Sequence, residues 1–389
     1  MVQWPALHVR ERQRSWGFEP SQYHIKVPAS VNQSAMPLIS VVVPCRNERN
    51  NIVACVQSIL EQKEPQGGYE VIVADGMSDD GTREILAQLE RIDSRLRVID
   101  NPERATGCGM NAGIRNARGD YIAIMGAHSR YASDYLIRCL DLIVSKGADN
   151  VGGAVFAEGH SYVEKAISAA HHSGFSSGGS RWHAVKHDGR VDSVWGGFYR
   201  RDVFERIGLF DESLVRNQDD EFNLRLTKAG GRIWQSPLIR SWYRPRSSLR
   251  SLFQQYRQYG YWKVRVIKKH GQPASLRHLV PTAFVLSLIA AVVLGAVSWG
   301  IGTIARLHTL TVIGQFSGIL FAAVLGAYLV VIVLASVSAA ARSDWRLIVL
   351  LPLAFACHHL GYGIGFLEGL AEVGTGRSAR VGRMSQLTR

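Results

Sequence analysis

The chain has 389 residues, of which 47% are hydrophobic and 20% charged, so it is too apolar to be intrinsically disordered. Three long segments contain no Asp, Glu, Lys or Arg: residues 279–305, 307–341 and 347–367. Each reaches the roughly 20 residues that an apolar helix needs to cross a bilayer core about 30 Å thick. The sequence therefore predicts a water-soluble part, then a membrane region over residues 279–370 with about three transmembrane helices.

The net charge of +13 comes from 45 Lys and Arg against 32 Asp and Glu, and most of it lies in one segment. Residues 240–278 contain ten Lys and Arg and no acidic residue, directly before the first charge-free run. A basic cluster at that place is typical of the cytoplasmic side of a membrane, where it meets anionic lipids. The adjoining span argues against nucleic acid as the partner. A solvated basic helix is the plainer alternative.

The N-terminal residues, 1–36, have the composition of an irregular leader and lack the apolar core of a signal peptide. The five cysteines are an odd number without metal-ligand spacing, which indicates free thiols in a reducing compartment. We therefore expect a multi-pass protein of the cell's inner (plasma) membrane with a cytoplasmic N-terminal domain.

Strand and helix patterns alternate between residues 37 and 240. Runs rich in β-branched residues predict buried strands, at Leu38–Pro44, Tyr69–Ala74, Leu96–Ile99, Tyr121–Met125 and Asn150–Phe156. Apolar residues at helical spacing predict helices between them, at Asn50–Gln62, Thr82–Ile92, Cys108–Ala117 and Ala132–Val144. This alternation implies a mostly parallel sheet, in which ligands bind beyond the carboxyl ends of the strands.

Polar residues gather where the first two strands end. Pro44 ends the first strand, and Arg46, Asn47 and Glu48 follow it, which is more polar chemistry than a helix cap needs. Asp75 ends the second strand, where a lone carboxylate can accept hydrogen bonds from a base or a ribose. For the two acids that follow, at 79 and 80, a tight turn with a helix cap is as good an explanation as a functional role.

Three acids, Asp219, Asp220 and Glu221, begin a predicted helix that runs to about residue 229. The helix dipole stabilises anions in the first turn, so a catalytic base there must be partly desolvated to be effective. Capping of the helix is the plainer explanation. Residues 107–112 also match a lax G-x-G-x-x-A pattern, but they follow the third strand and not the first, which argues against a nicotinamide site.

Five segments resemble those of family 2 glycosyltransferases. VVVPCRNE, VADGMSDDGT and GCGMNAGIRNARGDYI are similar to its nucleotide-sugar half, VWGGFYRRDVFERIGLFDE to its acceptor side, and QDDEFNLRL to its E-D-x-[DE]-[LF]-x-x-R helix. The pattern is most like that of membrane-bound glucosyltransferases of succinoglycan-type exopolysaccharide synthesis, over roughly residues 38–270. Each motif alone is weak, whereas their order and spacing are specific.

The resemblance implies a fold and a domain organisation. A GT-A-like α/β domain that binds a nucleotide-sugar, with a mostly parallel sheet, would occupy residues 37–240 in the cytoplasm. A basic interfacial segment would follow over residues 241–278, then the helical membrane region and a basic tail, 371–389. Three spans would put that tail outside, although basic tails prefer the inside. The third run contains Pro352, His358 and His359, so it could instead be re-entrant or interfacial.

The resemblance also implies roles for single residues. The uridine would be held by the residues after the first two strands, Pro44, Arg46, Asn47, Glu48 and Asp75. The diphosphate would lie near Asn111, Gly113 and Arg257. The acceptor side would comprise Trp195, Gly196, Gly197, Asp220 and Glu221. Asp219 would be the catalytic base, which takes the proton of the acceptor hydroxyl in one displacement with inversion.

The metal motif departs from the family pattern. The family has D-x-D after the fourth strand, and its succinoglycan-type members have D-A-H, whereas Gly126 and His128 stand in the first and third places here. A lone imidazole is a poor site for Mg²⁺, which prefers oxygen ligands, and Mn²⁺ tolerates it better. We therefore expect a divalent metal, Mn or Mg, that His128 holds together with the donor's phosphates. Arg104, Arg130 and Arg257 could share its charge-neutralising task.

The leading hypothesis is an inverting glycosyltransferase of exopolysaccharide or cell-surface glycan synthesis. It would move glucose from UDP-glucose to a lipid-linked or polysaccharide acceptor, such as a polyprenyl-linked glycan, at the membrane. The alternative, motivated by Gly126, is a catalytically degenerate membrane subunit that binds nucleotide or partner enzymes. A soluble dehydrogenase is a distant third.

Overall fold

The computed structural model describes residues 38–153, 155–179, 185–273, 275–306, 308–375 and 384. The predicted leader and the basic tail beyond Thr375, apart from Met384, lie outside these residues. The described residues form an α/β part followed by a helical part, as the sequence predicts. The domain boundaries near residues 240 and 278 stay predictions.

The strands of the α/β part belong to two sheets. In chain order they are β1 (Ile39–Cys45), β2 (Tyr69–Asp75), β3 (Leu96–Asp100), β4 (Tyr121–Ile124), β5 (Ser129–Tyr131), β6 (Asn150–Gly152), β7 (Val155–Ala157), β8 (Gly189–Arg190), β9 (Phe198–Arg200), β10 (Ile233–Gln235) and β11 (Ser241–Tyr243). The larger sheet has the order β3-β2-β1-β4-β9-β6-β10-β8, and the smaller one β5-β11-β7. Parallel pairs join β3, β2, β1 and β4, whereas β9 is antiparallel to β4 and β6.

The helices that cover the sheets are α1 (Ile52–Leu60), α2 (Thr82–Ile92), α3 (Thr106–Asn116), α4 (Tyr135–Lys146), α5 (Tyr162–His171), α6 (Gly174–Ser177), α7 (Arg201–Ile207) and α8 (Gln218–Lys228). The C-terminal helices are α9 (Leu249–His270), α10 (Val280–Ile304), α11 (His308–Arg342) and α12 (Leu351–Thr375). Helices α1 to α4 confirm the four predicted helices, and α2 has the predicted bounds.

One predicted strand is divided between the two sheets. Residues 150–156 form β6 in the large sheet and β7 in the small one, with a break at Gly153. A Cβ atom on Gly153 would stand 1.8 Å from the Ile239 carbonyl oxygen. The strand therefore bends at Gly153, where it meets the backbone of Ile239, about 85 residues further along the chain. The alternation of residues along one strand cannot predict such a contact.

Helices α10 and α11 expose their apolar side chains. The stretches Leu276–Ile304 and His308–Arg342 are long and apolar enough to cross a membrane. Leu294 of α10 is 57% exposed and Phe316 of α11 is 71% exposed, and many other large apolar side chains of both helices are also exposed. Apolar surface on this scale indicates contact with lipid or with another protein.

Helix α12, formed from the third charge-free run, packs against α9. Cβ atoms on Gly361, Gly365 and Gly369 would stand 2.8, 1.9 and 2.7 Å from carbonyl oxygens of α9. Glycines spaced by four share one helix face, so the two backbones approach each other without side chains between them. Of the described helices, α10 and α11 are the candidate spans, and α12 is a partner of α9.

Candidate active site

The loops after β1 and β2 are hydrogen-bonded to each other. The Asn47 N–H donates to the Ser78 hydroxyl (2.7 Å), and the Asp79 N–H donates to the Asn47 side chain (2.9 Å). The Glu48 N–H donates to the Thr82 hydroxyl (2.9 Å). Asn47 has a φ of 51°, a left-handed conformation that asparagine tolerates. These loops, residues 45–49 and 75–82, form one edge above the parallel strands, and we call it the donor rim.

Asp75 lies at the base of the donor rim and is fully buried. Its carboxylate accepts hydrogen bonds from the Ser78 N–H (3.0 Å), the Ser78 hydroxyl (2.6 Å) and the Arg83 guanidinium (2.8 Å). Arg83 also donates to Asp100 (2.8 Å) at the end of β3. Three donors on one buried carboxylate hold Asp75 rigidly, and its expected contact with the uridine stays a prediction.

Asn111 and Gly113 on α3 take part in packing. The Asn111 amide donates to the Phe210 carbonyl (2.9 Å) and the Glu212 carboxylate (2.8 Å), and its oxygen accepts from the Phe210 N–H (3.0 Å). A Cβ on Gly113 would stand 2.2 Å from the Val42 side chain of β1. Both residues fasten α3 to its neighbours, and their expected place near a diphosphate stays a prediction.

The loop after β4 meets the donor rim through His128 and Glu48. The His128 Nδ1 atom lies 3.6 Å from Glu48 Oε1, and the imidazole is 52% exposed. No group of three or more His, Cys, Asp or Glu that could hold a metal occurs in the described part of the chain. Two ligands do not make a metal site, so the divalent ion expected at His128 stays a prediction. Sequence reasoning assigned Glu48 to the uridine and missed this pair.

The segment Trp195–Gly197 lies against the end of β4. Gly196 and Gly197 have φ values of 72° and 107°, in the left-handed region that favours glycine. A Cβ would stand 2.7 Å from the Ile124 carbonyl oxygen at Gly196, and 2.5 Å from the Tyr199 side chain at Gly197. The turn places the Trp195 indole over Gly126, where a Cβ would be 3.4 Å from it, an ordinary contact. Position 126 can therefore accept a side chain.

Asp219 and Asp220 occupy the first turn of α8 and have opposite pKa shifts. Burial, reinforced by the neighbouring Asp220 carboxylate, raises the pKa of Asp219 to about 6. Burial also opposes ionisation of Asp220, but the paired Lys263 ammonium outweighs it and lowers the pKa of Asp220. Two neighbouring acids whose pKa values are driven apart are a known basis for separate catalytic roles.

Glu221 and Arg257 are both bound to the helical part. Glu221 is fully buried, and its carboxylate binds Arg225, Lys269 and His270, each at 2.9 Å. The Arg257 Nε donates to the Glu368 carboxylate of α12 at 2.7 Å. The structure thus gives Glu221 a role in joining α8 to α9, and Arg257 a role in joining α9 to α12. Their expected places beside the acceptor and the donor stay predictions.

Comparison with known proteins gives these features a context. Residues 40–208 match the family model described as Glycosyl transferase family 2. The succinoglycan biosynthesis protein ExoA of Rhizobium meliloti is 35% identical over 263 residues, which are 67% of this chain and 78% of that protein. The dolichyl N-acetyl-alpha-D-glucosaminyl phosphate 3-beta-D-2,3-diacetamido-2,3-dideoxy-beta-D-glucuronosyltransferase of Methanococcus voltae is 28% identical over 67% of this chain and 83% of its own length.

A solved structure with a similar fold is the mannosyltransferase PcManGT from Pyrobaculum calidifontis, determined in complex with GDP-Man and Mn²⁺. It matches with a TM-score of 0.52 and 15% identity, over 85% of this chain and 88% of that chain. At this identity the likeness concerns the fold alone. It confirms the expectation of a GT-A-like α/β domain followed by C-terminal helices.

Proposed function

Because the chain belongs to glycosyl transferase family 2 and is a glycosyltransferase, we propose that it transfers glucose from UDP-glucose, with inversion, to a lipid-linked acceptor at the membrane. The environment of Asp219 is the observation that carries this proposal. Asp219 lies in the first turn of α8 in a partly buried position, and its pKa is raised to about 6. It also lies near Tyr199, whose side chain packs against the turn at Gly197. The relatives in exopolysaccharide and lipid-linked glycan synthesis support the class of acceptor.

The reaction is a single displacement. The acceptor hydroxyl oxygen attacks the anomeric carbon, Asp219 takes the hydroxyl proton, and the bond from that carbon to the diphosphate oxygen breaks. UDP leaves with the electron pair, and Asp219 then releases its proton to water. With a pKa of about 6 the carboxylate is largely ionised at neutral pH and accepts a proton more readily than an ordinary Asp.

The donor rim suits the uridine end of the donor. The bonds from Ser78 and Arg83 to the buried Asp75 carboxylate hold the second loop, and the Asn47–Ser78 bond joins it to the first, so that the rim would meet the base and ribose as one rigid edge. Arg46 lies against Gly76 and has no ion-pair partner among the described residues. A guanidinium in that state can bind phosphate oxygens in a bidentate manner.

A divalent ion fits between the two loops if the donor supplies most of its ligands. Glu48 and His128 would hold it, and its charge would offset that of the diphosphate as UDP leaves. The fold relative from Pyrobaculum calidifontis was determined with Mn²⁺, which supports this metal, and an imidazole ligand also suits Mn²⁺ better than Mg²⁺. We expect binding to be weak without UDP-glucose and stronger with it.

We further propose that α10 and α11 form a membrane hairpin, so that the catalytic domain and the C-terminal tail share the cytoplasmic side. The Trp262 indole N–H of α9 donates to the Met384 carbonyl (3.0 Å), and Met384 packs beside Leu214 of the α/β part. The tail arginines then lie on the side that basic segments prefer. This topology removes the conflict that three spans create.

Reporter fusions test the topology. A fusion after Arg389 should report the cytoplasm, and one inserted at residues 305–308, between α10 and α11, should report the outside. A C-terminal fusion on the outer side would mean three spans and would refute the hairpin.

A donor screen tests the activity. The purified full chain in detergent is supplied with lipid extract from a bacterium that makes exopolysaccharide, and with UDP-glucose, other UDP-sugars or GDP-mannose. We expect UDP release and a labelled lipid product with UDP-glucose, and neither with Asp219→Asn. Turnover of another donor alone would refute the choice of glucose. Binding of a donor without turnover would favour the degenerate subunit. The absence of both binding and turnover with every donor would refute the proposal.

A further inference from the structure

Helix α9 holds the start of α8 at several points, although α9 belongs to the basic segment before the membrane helices. Two contacts involve the residues just before α8: Arg216 bonds to Gln258 (3.2 Å), and the Asn217 amide donates to the Tyr259 carbonyl (3.0 Å). In the first turn of α8, Lys263 pairs with Asp220, and Lys269 and His270 both contact Glu221 (2.9 Å each). Asp219 lies in the middle of this set. The residues of α9 are therefore placed to control the surroundings of the base.

Lys263 differs from the other contacts because it is a buried cation beside two acids. Its side chain is 5% exposed, and its ammonium pairs with the Asp220 carboxylate, which is 32% exposed. A lysine is rarely buried without such a partner, because loss of hydration penalises its charge. A structural salt bridge would be a sufficient explanation if no functional residue lay nearby. Here Asp220 is adjacent in sequence to the proposed base, so the ion pair also changes the electrostatic potential at Asp219.

We propose that Lys263 is a positioning residue for the transfer reaction: by neutralising Asp220 it leaves Asp219 as the one carboxylate that takes the acceptor's proton. The inference rests on the proposed role of Asp219. Without Lys263, Asp219 and Asp220 would be two like charges in a poorly solvated place, and such a pair retains a shared proton to higher pH. A shared proton blocks the base.

The other charged groups near the pair do not take over this role. Arg277 is paired with Asp192, so its charge is already compensated. His278 and Tyr362 face Asp220, whereas Arg216 and Tyr199 face Asp219. Among these groups Lys263 alone forms an ion pair with Asp220.

The position of Lys263 is fixed from behind by α12. A Cβ on Gly260, one turn earlier in α9, would stand 2.0 Å from the Tyr362 carbonyl oxygen. The close backbone contact prevents α9 from turning or shifting without disturbing α12. The packing of α12 against α9 thus helps to hold Lys263 beside Asp220.

The experiment measures kcat and the KM for UDP-glucose from pH 5 to 9, as UDP release by the full chain in detergent with bacterial lipid extract. Lys263→Met should lower kcat at pH 7 by at least about tenfold, change KM by less than about twofold, and move the acidic limb of the profile upward by about one pH unit. Asp220→Asn and the double variant complete a cycle. Lys165→Met, which removes an exposed lysine of α5, is the matched control and should match the unsubstituted protein.

The cycle gives a clear decision. The Lys263 ammonium also lowers the pKa of Asp219 directly, so part of the shift should remain in the Asp220→Asn background. An upward shift of the limb by Lys263→Met that is clearly smaller in the Asp220→Asn background supports the proposal. No shift, or the same shift in both backgrounds, overturns it. If Lys263→Met fails to fold, the double variant leaves no buried unpaired charge and is compared with the unsubstituted protein: equal limbs support the proposal, because a neutral pair then replaces a compensated one, and a limb moved in either direction overturns it.

The parent assignment is tested separately with Asp219→Asn. Full turnover by that variant would refute the base and this inference together. An inactive Asp219→Asn combined with an unchanged limb in Lys263→Met would refute the inference alone.

Discussion

The donor rim and the start of α8 are held in place by different means. The rim is fixed by the two loops that form it, because Asn47 bonds to Ser78 and Asp79, and Asp75 bonds to Ser78 and Arg83. The start of α8 is fixed from outside the α/β part, by side chains of α9 such as Lys263 and Lys269. One half of the proposed site is therefore local to the sheet, and the other half depends on α9.

With the proposed roles, donor binding depends on the rim and turnover on the start of α8, so a substitution can impair one without the other. Changes in α9 or α12 should alter the surroundings of Asp219 and leave the donor rim intact. A soluble fragment that ends before Leu249 would keep the rim and lose the contacts that fix the base.

Asp219→Asn should lower kcat by at least about a hundredfold and leave UDP-glucose affinity unchanged, because amide and carboxylate have the same shape and only the proton acceptor is lost. Steady-state UDP release and calorimetric binding of UDP-glucose measure the two quantities. A variant with unchanged turnover would exclude Asp219 and shift attention to Asp220.

Gly365→Ala should destabilise the protein by about 1–3 kcal/mol and reduce kcat more than donor affinity. The added Cβ would stand 1.9 Å from the Arg257 carbonyl oxygen, so α9 and α12 must separate. Thermal unfolding in detergent and the kinetic assay measure the effects. Gly374→Ala is the control, because a Cβ there has nothing within 4 Å. Equal behaviour of the two variants would contradict the close packing of α9 and α12.

Activity should fall below about pH 6, to about a tenth of its plateau one pH unit lower, because the base works only when ionised. The raised pKa of Asp219, about 6, moves this loss to higher pH than an ordinary Asp would give. Asp220→Asn should move the limb to lower pH, since the Asp220 charge contributes to raising the pKa. A pH profile of kcat/KM for both proteins measures the shift, and a limb that stays in place would count against the coupling.

His128→Ala should weaken Mn²⁺ binding in the presence of UDP by less than about tenfold, because the phosphate oxygens supply most of the ligands. Titration of Mn²⁺ with and without UDP, in both proteins, measures the change. Gly126→Asp should strengthen binding, since a Cβ at position 126 fits 3.4 Å from Trp195. Full activity in excess chelator would exclude a required metal and leave the arginines expected to share its task, Arg104, Arg130 and Arg257, as charge partners of the diphosphate.

The parallel half of the fold, and the place of Asp219 and Asp220 at a helix start, were predictable from the sequence alone. β-branched runs predicted β1 and β2, and apolar spacing predicted α2 to the residue, because these patterns depend on neighbours along the chain. Asp219 at a helix start followed from the order of the motifs.

Contacts between residues far apart in the chain could not be predicted from the sequence. Glu48 and His128 are 80 positions apart, and Asp220 and Lys263 are 43 apart, so no local pattern joins either pair. Residues 307–341 and 347–367 look alike as charge-free runs, yet α11 exposes its apolar side chains and α12 packs against α9. A long apolar helix can cross a membrane, but a face of glycines also allows it to pack closely against another helix, and charge-free sequence alone does not distinguish the two.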